Sequence, residues 1–185
     1  MKIVFNAPVT LLFLAVGLAV LVINLETGDA LIPWVSCSAS DSYLVGFVAY
    51  PFGHADLWHY LSNAFVLLLV GPIAEERYGS GPLVIMMLIT TFLIAIIHLL
   101  VSPDVAVLGS SGIVFMCVIL SAHVQIAHAR HTGVIRVPVT LLLVVALYLG
   151  LEFFMIGSPD NISHMAHVTG GVCGFILGFA YPVLY

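Results

Sequence analysis

Long uncharged stretches alternate with short polar punctuation along the chain. The first apolar run is about Ala7–Leu25, between Lys2 and Glu26. The second, about Leu57–Ala74, stops at Glu75, Glu76 and Arg77, and the third, about Pro82–Val101, is closed by Pro103 and Asp104. The fourth, about Ser111–Ala129, carries His123 and His128 but no formal charge before Arg130. A fifth covers about Val137–Ile156 with Glu152 inside it, and a sixth about Met165–Leu184. Each is close to the roughly 20 residues that cross about 30 Å of hydrocarbon. The pattern predicts an all-α, polytopic membrane protein with six transmembrane helices.

Composition narrows the class further. Hydrophobic residues make up 62% of the 185 and charged residues 7%, against about 45–50% and about 25% in soluble domains. The mean hydropathy is +1.22. So few charges cannot cover a soluble surface, which excludes a soluble enzyme and a disordered tail. A net charge of −5 with only 4 Lys and Arg excludes a basic nucleic-acid-binding face. Six helices use about 120 residues and leave about 65 for connections, so residues 1–185 are expected to form a single membrane domain without a sizeable soluble module.

The basic residues set the orientation. With the N-terminus in the cytoplasm and alternating spans, Lys2, Arg77, Arg130 and Arg136 all fall at cytoplasmic ends, the positive-inside pattern. Both termini are then cytoplasmic, while Glu26, Asp29, Asp41, Asp56, Asp104 and Asp160 fall outside. The first apolar run is longer than a signal-peptide core and no clear small-x-small cleavage site follows it, so it is expected to be a span. The connection from Glu26 to Asp56 holds Pro33, Trp34, Tyr43, Phe47, Tyr50, Pro51 and Phe52, aromatic enough to rest in the outer interface. Of the three cysteines, Cys117 and Cys173 lie inside spans and Cys37 is alone in this loop, so no disulfide is expected.

Polar groups are costly in hydrocarbon and mark a working interior by default. Three clusters fall toward the outer side: His54-Ala-Asp-Leu-Trp-His59-Tyr-Leu-Ser-Asn63, Gly109-Ser110-Ser111-Gly112, and His164-Met-Ala-His167-Val-Thr-Gly170-Gly-Val-Cys-Gly174. Taken singly, each has a plain structural reading: a turn, a packed histidine, an asparagine bridging helices. Their shared depth favours chemistry. A nucleophile needs a base within hydrogen-bond reach and donors aimed at the developing oxyanion. Ser111, His167, His59 and Asn63 supply those parts if the second, fourth and sixth spans converge. His59 and Asn63, four apart, share one helix face. Gly170, Gly174 and Gly178 form a small-residue ridge on which a second backbone can lie close.

Together these features resemble the rhomboid family of intramembrane serine proteases. Gly109-Ser110-Ser111-Gly112 is similar to its G-x-S-G motif, and His167-x-x-Gly170-x-x-x-Gly174 to its last-helix histidine motif. His59-x-x-x-Asn63 matches the second-helix motif, with His54 at another recurrent histidine, and Glu75–Gly81 looks like the connection that follows. The resemblance covers about Phe52–Tyr181. It implies an intramembrane serine endopeptidase without cofactor or metal, acting on transmembrane protein substrates near the outer side of the bilayer. Ser111 would be the nucleophile and His167 the general base and acid, forming a dyad through an acyl-enzyme. The Ser111 N–H, His59 and Asn63 would form the oxyanion hole. Phe115 stands where the family often has an aromatic stacked on the histidine. His54, Ser62, Asn161, Ser163 and His164 would help to hold water, and the fifth helix and residues 157–163 would gate substrate.

Two other readings stand beside it. A catalytically silent relative would bind transmembrane clients, although such relatives typically lack the serine or the histidine that this chain keeps. A metal site is prompted by eight histidines and by His54-Ala-Asp56-x-x-His59, yet His123, His128 and His131 belong to the opposite side. The expected location is a multi-pass position in a membrane, with the prokaryotic plasma membrane favoured by the lack of a transit-like presequence.

Overall fold

Among the described residues, helices account for nearly all regular structure. The computed structural model describes residues 6–40, 44–134, 139, 142–143, 146–147 and 164–184. In chain order the elements are α1 (Pro8–Thr27), a 3-10 turn (Ile32–Trp34), α2 (Gly46–Ala49), a second 3-10 turn (Tyr50–Phe52), α3 (Leu57–Tyr78), α4 (Ser80–Val101), α5 (Ser111–Thr132) and α6 (His164–Ala180). Helices α1, α3, α4 and α5 are long and apolar enough to cross a membrane, and α6 is a shorter apolar helix. The fold is the all-helical polytopic bundle expected from the sequence. Most of the fifth expected span, including Glu152, lies outside the described residues. Val139, Leu142, Leu143, Ala146 and Leu147 within it are helical, and all five are exposed. Their spacing places them on one apolar stripe.

Element boundaries follow local chemistry. Asp56 caps α3 by accepting from the His59 N–H at 2.8 Å, and Pro8 occupies the first turn of α1, where its missing N–H costs nothing. The expected break at Glu75–Arg77 is corrected, because these residues are helical and α3 ends at Tyr78. Gly79, at φ +90°, turns the chain in one residue. Charge at a helix end does not end the helix when the charge is satisfied. Glu75 is buried and accepts from the Val9 and Thr10 N–H groups, the Thr10 hydroxyl and the Ser80 hydroxyl at 2.7–2.9 Å. One carboxylate therefore holds the start of α1, the end of α3 and the start of α4. The last span is also shorter than expected: α6 ends at Ala180 because Pro182 disfavours helix in the residue before it.

Helix α5 is the centre of the bundle. It is buried almost all round, with Val114, Met116, Cys117, Leu120 and Ser121 inaccessible, and packs mainly against α6 and then α3. The expected glycine ridge is the α5–α6 contact. A Cβ at Gly170 would collide with the Gly112 carbonyl, one at Gly174 would lie 2.5 Å from the Met116 carbonyl oxygen, and one at Gly178 would press on His123. In a bilayer, where lipid is as apolar as leucine, such close backbone approach is what associates helices.

The bundle has two distinct ends. Asn6 donates to Glu76, Arg77 donates to the Leu184 carbonyl, and Leu184 N–H donates to the Arg77 carbonyl. Residues 6 and 184 therefore share one end with the α3–α4 turn, consistent with both termini on one side. At the other end the aromatic loop folds back on the helices. Tyr50 is buried, Phe52 lies 4.8 Å from Phe13, and Phe47 lies 5.5 Å from Phe92 between ring centroids. Tyr43 lies outside the described residues. Cys37, Cys117 and Cys173 are buried and form no disulfide with one another.

Two substitutions test this packing. Gly170→Val forces α5 and α6 apart and is expected to abolish folding or lower the melting temperature sharply in detergent. Glu75→Ala strands buried donors at about 1–3 kcal/mol each. It should lower stability by several kcal/mol, read by thermal or denaturant unfolding.

Candidate active site

The three polar clusters meet at the end of the bundle opposite residues 6 and 184. Their meeting point is set by backbone contact: a Cβ on Gly112 would lie 3.1 Å from the Ala166 carbonyl oxygen. Ser111 and His167, the neighbours of those two residues, thus start from helix ends that touch. Phe115, one turn below Ser111 on the same face, stacks on the His167 ring with centroids 4.6 Å apart and planes 15° from parallel. The stack presses the imidazole against the α5 face that begins with Ser111. Ser111 is part-buried, while Phe115 and His167 are buried. His164, one turn before His167, meets it edge-on at 6.4 Å.

His59 approaches from α3. Its Nδ1 accepts from the Ala55 N–H at 3.4 Å, so a neutral His59 carries its proton on Nε2. That nitrogen lies where a Cβ on Gly109 would be 2.7 Å away. Gly109 also has φ +115°, so both conformation and space demand glycine there. His59 thereby packs its Nε2 against Gly109, two residues before Ser111. Asn63, one turn further along α3, is 1% exposed and donates one amide hydrogen to the His59 carbonyl at 3.1 Å.

The expectation for His54 is corrected in part. It is 2% exposed and so holds no open water. Its Nδ1 lies 3.3 Å from the Phe52 carbonyl oxygen and its Nε2 3.2 Å from the Ser110 hydroxyl. Burial, and next the nearby His59, push its pKa down to about 4. Ser62 is exposed and donates to the His59 carbonyl at 3.0 Å. Asn161, Ser163 and the expected gate at 157–163 lie outside the described residues. Sequence reading missed the Ser110–His54 pair, since no spacing rule links residues 56 positions apart. Among the described residues no three His, Cys, Asp or Glu side chains are grouped to hold a metal ion.

This architecture has counterparts among known proteins. The family model of the rhomboid domain matches residues 41–183. The chain belongs to the rhomboid family. Rhomboid-related protein 1 of Caenorhabditis elegans is 30% identical in a 153-residue alignment that covers 75% of this chain and 40% of that protein. RHOMBOID-like protein 4 of Arabidopsis thaliana is 30% identical over 127 residues, 68% of this chain and 31% of the relative. The chain thus spans less than half the length of these curated relatives. Rhomboid membership and four spanning-length helices make it an integral membrane protein.

The buried imidazole of His54 gives this rhomboid site a defined pH signature. Its pKa falls from 6.5 to about 4 on folding, so between those values the unfolded chain binds the extra proton. Stability from a neutral His54 is complete above about pH 6.5 and declines as pH falls toward 4, by about 3 kcal/mol in all. The stability difference between wild type and His54→Gln is expected to drift against wild type across that window. Denaturant unfolding at pH 4 to 7.5 measures it; a constant difference would contradict the assignment.

Proposed function

We propose that this rhomboid protein is an intramembrane serine endopeptidase, with Ser111 as nucleophile and His167 as general base. The observation that carries the reading is the pairing of helix ends: Gly112 against Ala166, with Phe115 stacked on His167. A hydroxyl on α5 and an imidazole on α6 then start from helix ends that touch, which supports proton transfer between fixed partners. Substrates are transmembrane proteins whose helix unwinds at this end of the bundle.

The reaction follows from the donors available. The Ser111 Oγ attacks the scissile carbonyl carbon as its proton passes to an imidazole nitrogen of His167. The carbonyl oxygen becomes an oxyanion and accepts from the Ser111 N–H, the His59 Nε2–H and the Asn63 amide. The Ser111 N–H belongs to the first turn of α5, whose amides lack intrahelical acceptors and whose dipole favours negative charge. Collapse expels the amine, which takes the proton from His167 and leaves the acyl on Ser111. Water, deprotonated by His167, then releases the acid.

Cleavage of a single-span substrate in liposomes tests this reading. Wild type should cleave, and Ser111→Ala and His167→Ala should not. Asn63→Ala should lower turnover by about 10²–10³, since one oxyanion donor is lost. Equal cleavage by wild type and Ser111→Ala would overturn the protease reading and leave a client-binding rhomboid protein.

A further inference from the structure

Ser110 and His54 form a second serine–histidine pair beside the proposed nucleophile. Both are buried, at 1% and 2% exposure, so neither a substrate carbonyl nor solvent water reaches them. The pair is not a second dyad. Its polarity follows from partners: the Phe52 carbonyl can only accept, so Nδ1 of His54 carries the proton and donates to it. In the neutral ring Nε2 is then the acceptor, and the Ser110 hydroxyl donates to it at 3.2 Å. Ser110 stands at the cap position of α5, yet its side chain caps no amide of that helix. Its hydroxyl is committed to His54 instead.

A second bond runs parallel to this one. The Gly109 N–H donates to the Tyr50 carbonyl at 2.9 Å. Two consecutive residues, 109 and 110, are thereby fastened to the segment Tyr50–His54, and the next residue is Ser111. Fastening at two points fixes rotation as well as position. The anchor is itself held: the Tyr50 hydroxyl donates to the Thr91 carbonyl of α4 at 3.3 Å. The Tyr60 ring meets His54 edge-on at 5.2 Å, and its hydroxyl donates to the Leu14 carbonyl of α1.

We propose that Ser110 is a positioning residue: its hydrogen bond to His54 sets the rotation of the first turn of α5 and so aims the Ser111 hydroxyl at His167. The proposal rests on the protease reading above. Alanine at 110 would keep the backbone and most of the volume while removing the bond. The nucleophile would then wander over a fraction of an ångström, and misplacement on that scale lowers turnover by up to about 10²-fold.

The test is steady-state cleavage combined with fluorophosphonate labelling and thermal unfolding. Ser110→Ala is expected to fold and label, with kcat lowered about 10- to 100-fold and KM unchanged; Ser110→Thr, which keeps the hydroxyl, should restore turnover. At the other end of the bond, His54→Gln keeps an acceptor near Nε2 and His54→Leu does not. Turnover should follow the acceptor, and Ser110→Ala should add no further loss in the His54→Leu background. This second pair carries the comparison if Ser110→Ala fails to fold. Wild-type kcat in Ser110→Ala, losses that multiply in the double variant, or an effect confined to the melting temperature would overturn the proposal. Labelling that survives Ser111→Ala but not Ser110→Ala would make Ser110 the nucleophile and overturn it too. A wild type that neither cleaves nor labels ends the protease reading, and the proposal with it.

Discussion

Close approach of two helix backbones, α5 and α6, is the constraint on which the rest of the structure depends. Lipid offers no hydrophobic gain for pairing two apolar helices, so their contact comes from van der Waals surface and needs small residues. Gly170, Gly174 and Gly178 supply that surface against the Gly112 carbonyl, the Met116 carbonyl and His123. The same contact brings the N-terminal ends of the two helices together. Ser111 and His167 sit at those ends, so packing and the proposed chemistry share one geometric cause.

Around this contact the molecule distributes its polar groups by burial and partner rather than by residue type. Four histidines lie near the site, and each is held differently. His54 is committed to Phe52 and Ser110, His59 to Ala55 with its other nitrogen toward Gly109, His167 lies under Phe115, and His164 meets His167 edge-on. His54 and His59, 5.1 Å apart between ring centroids, carry their protons on opposite nitrogens, because one faces a carbonyl and the other an amide. A pair of neutral rings with fixed tautomers supplies one acceptor and one donor without buried charge, which a low-dielectric site penalises.

The far end of the bundle uses a carboxylate in the same spirit. Glu75 reads in sequence as one of three charges ending a span, but it is buried and satisfied by donors from α1 and α4. A charge run signals water only when no protein donor stands in for it. The two ends are thus fastened by different means, imidazole and backbone at one, a carboxylate at the other. The apolar middle carries isolated buried polar bonds, such as Ser121 to the Val70 carbonyl at 2.9 Å.

What the sequence alone determined was whatever depends on composition and period. Apolar run length gave the membrane class, the helical fold and the cores of α1, α3, α4, α5 and α6, because crossing hydrocarbon forces each segment to satisfy its own backbone. The glycine spacing foretold the α5–α6 contact, and the polar clusters expected to converge do meet at one end of the bundle. Tertiary structure decided the pairings. That Ser110 is the hydroxyl partner of His54 and that Glu75 is an internal crosslink follow from which surfaces meet. Contacts between residues 56 or 65 positions apart leave no local trace in a chain, since their energy exists only after the helices have docked.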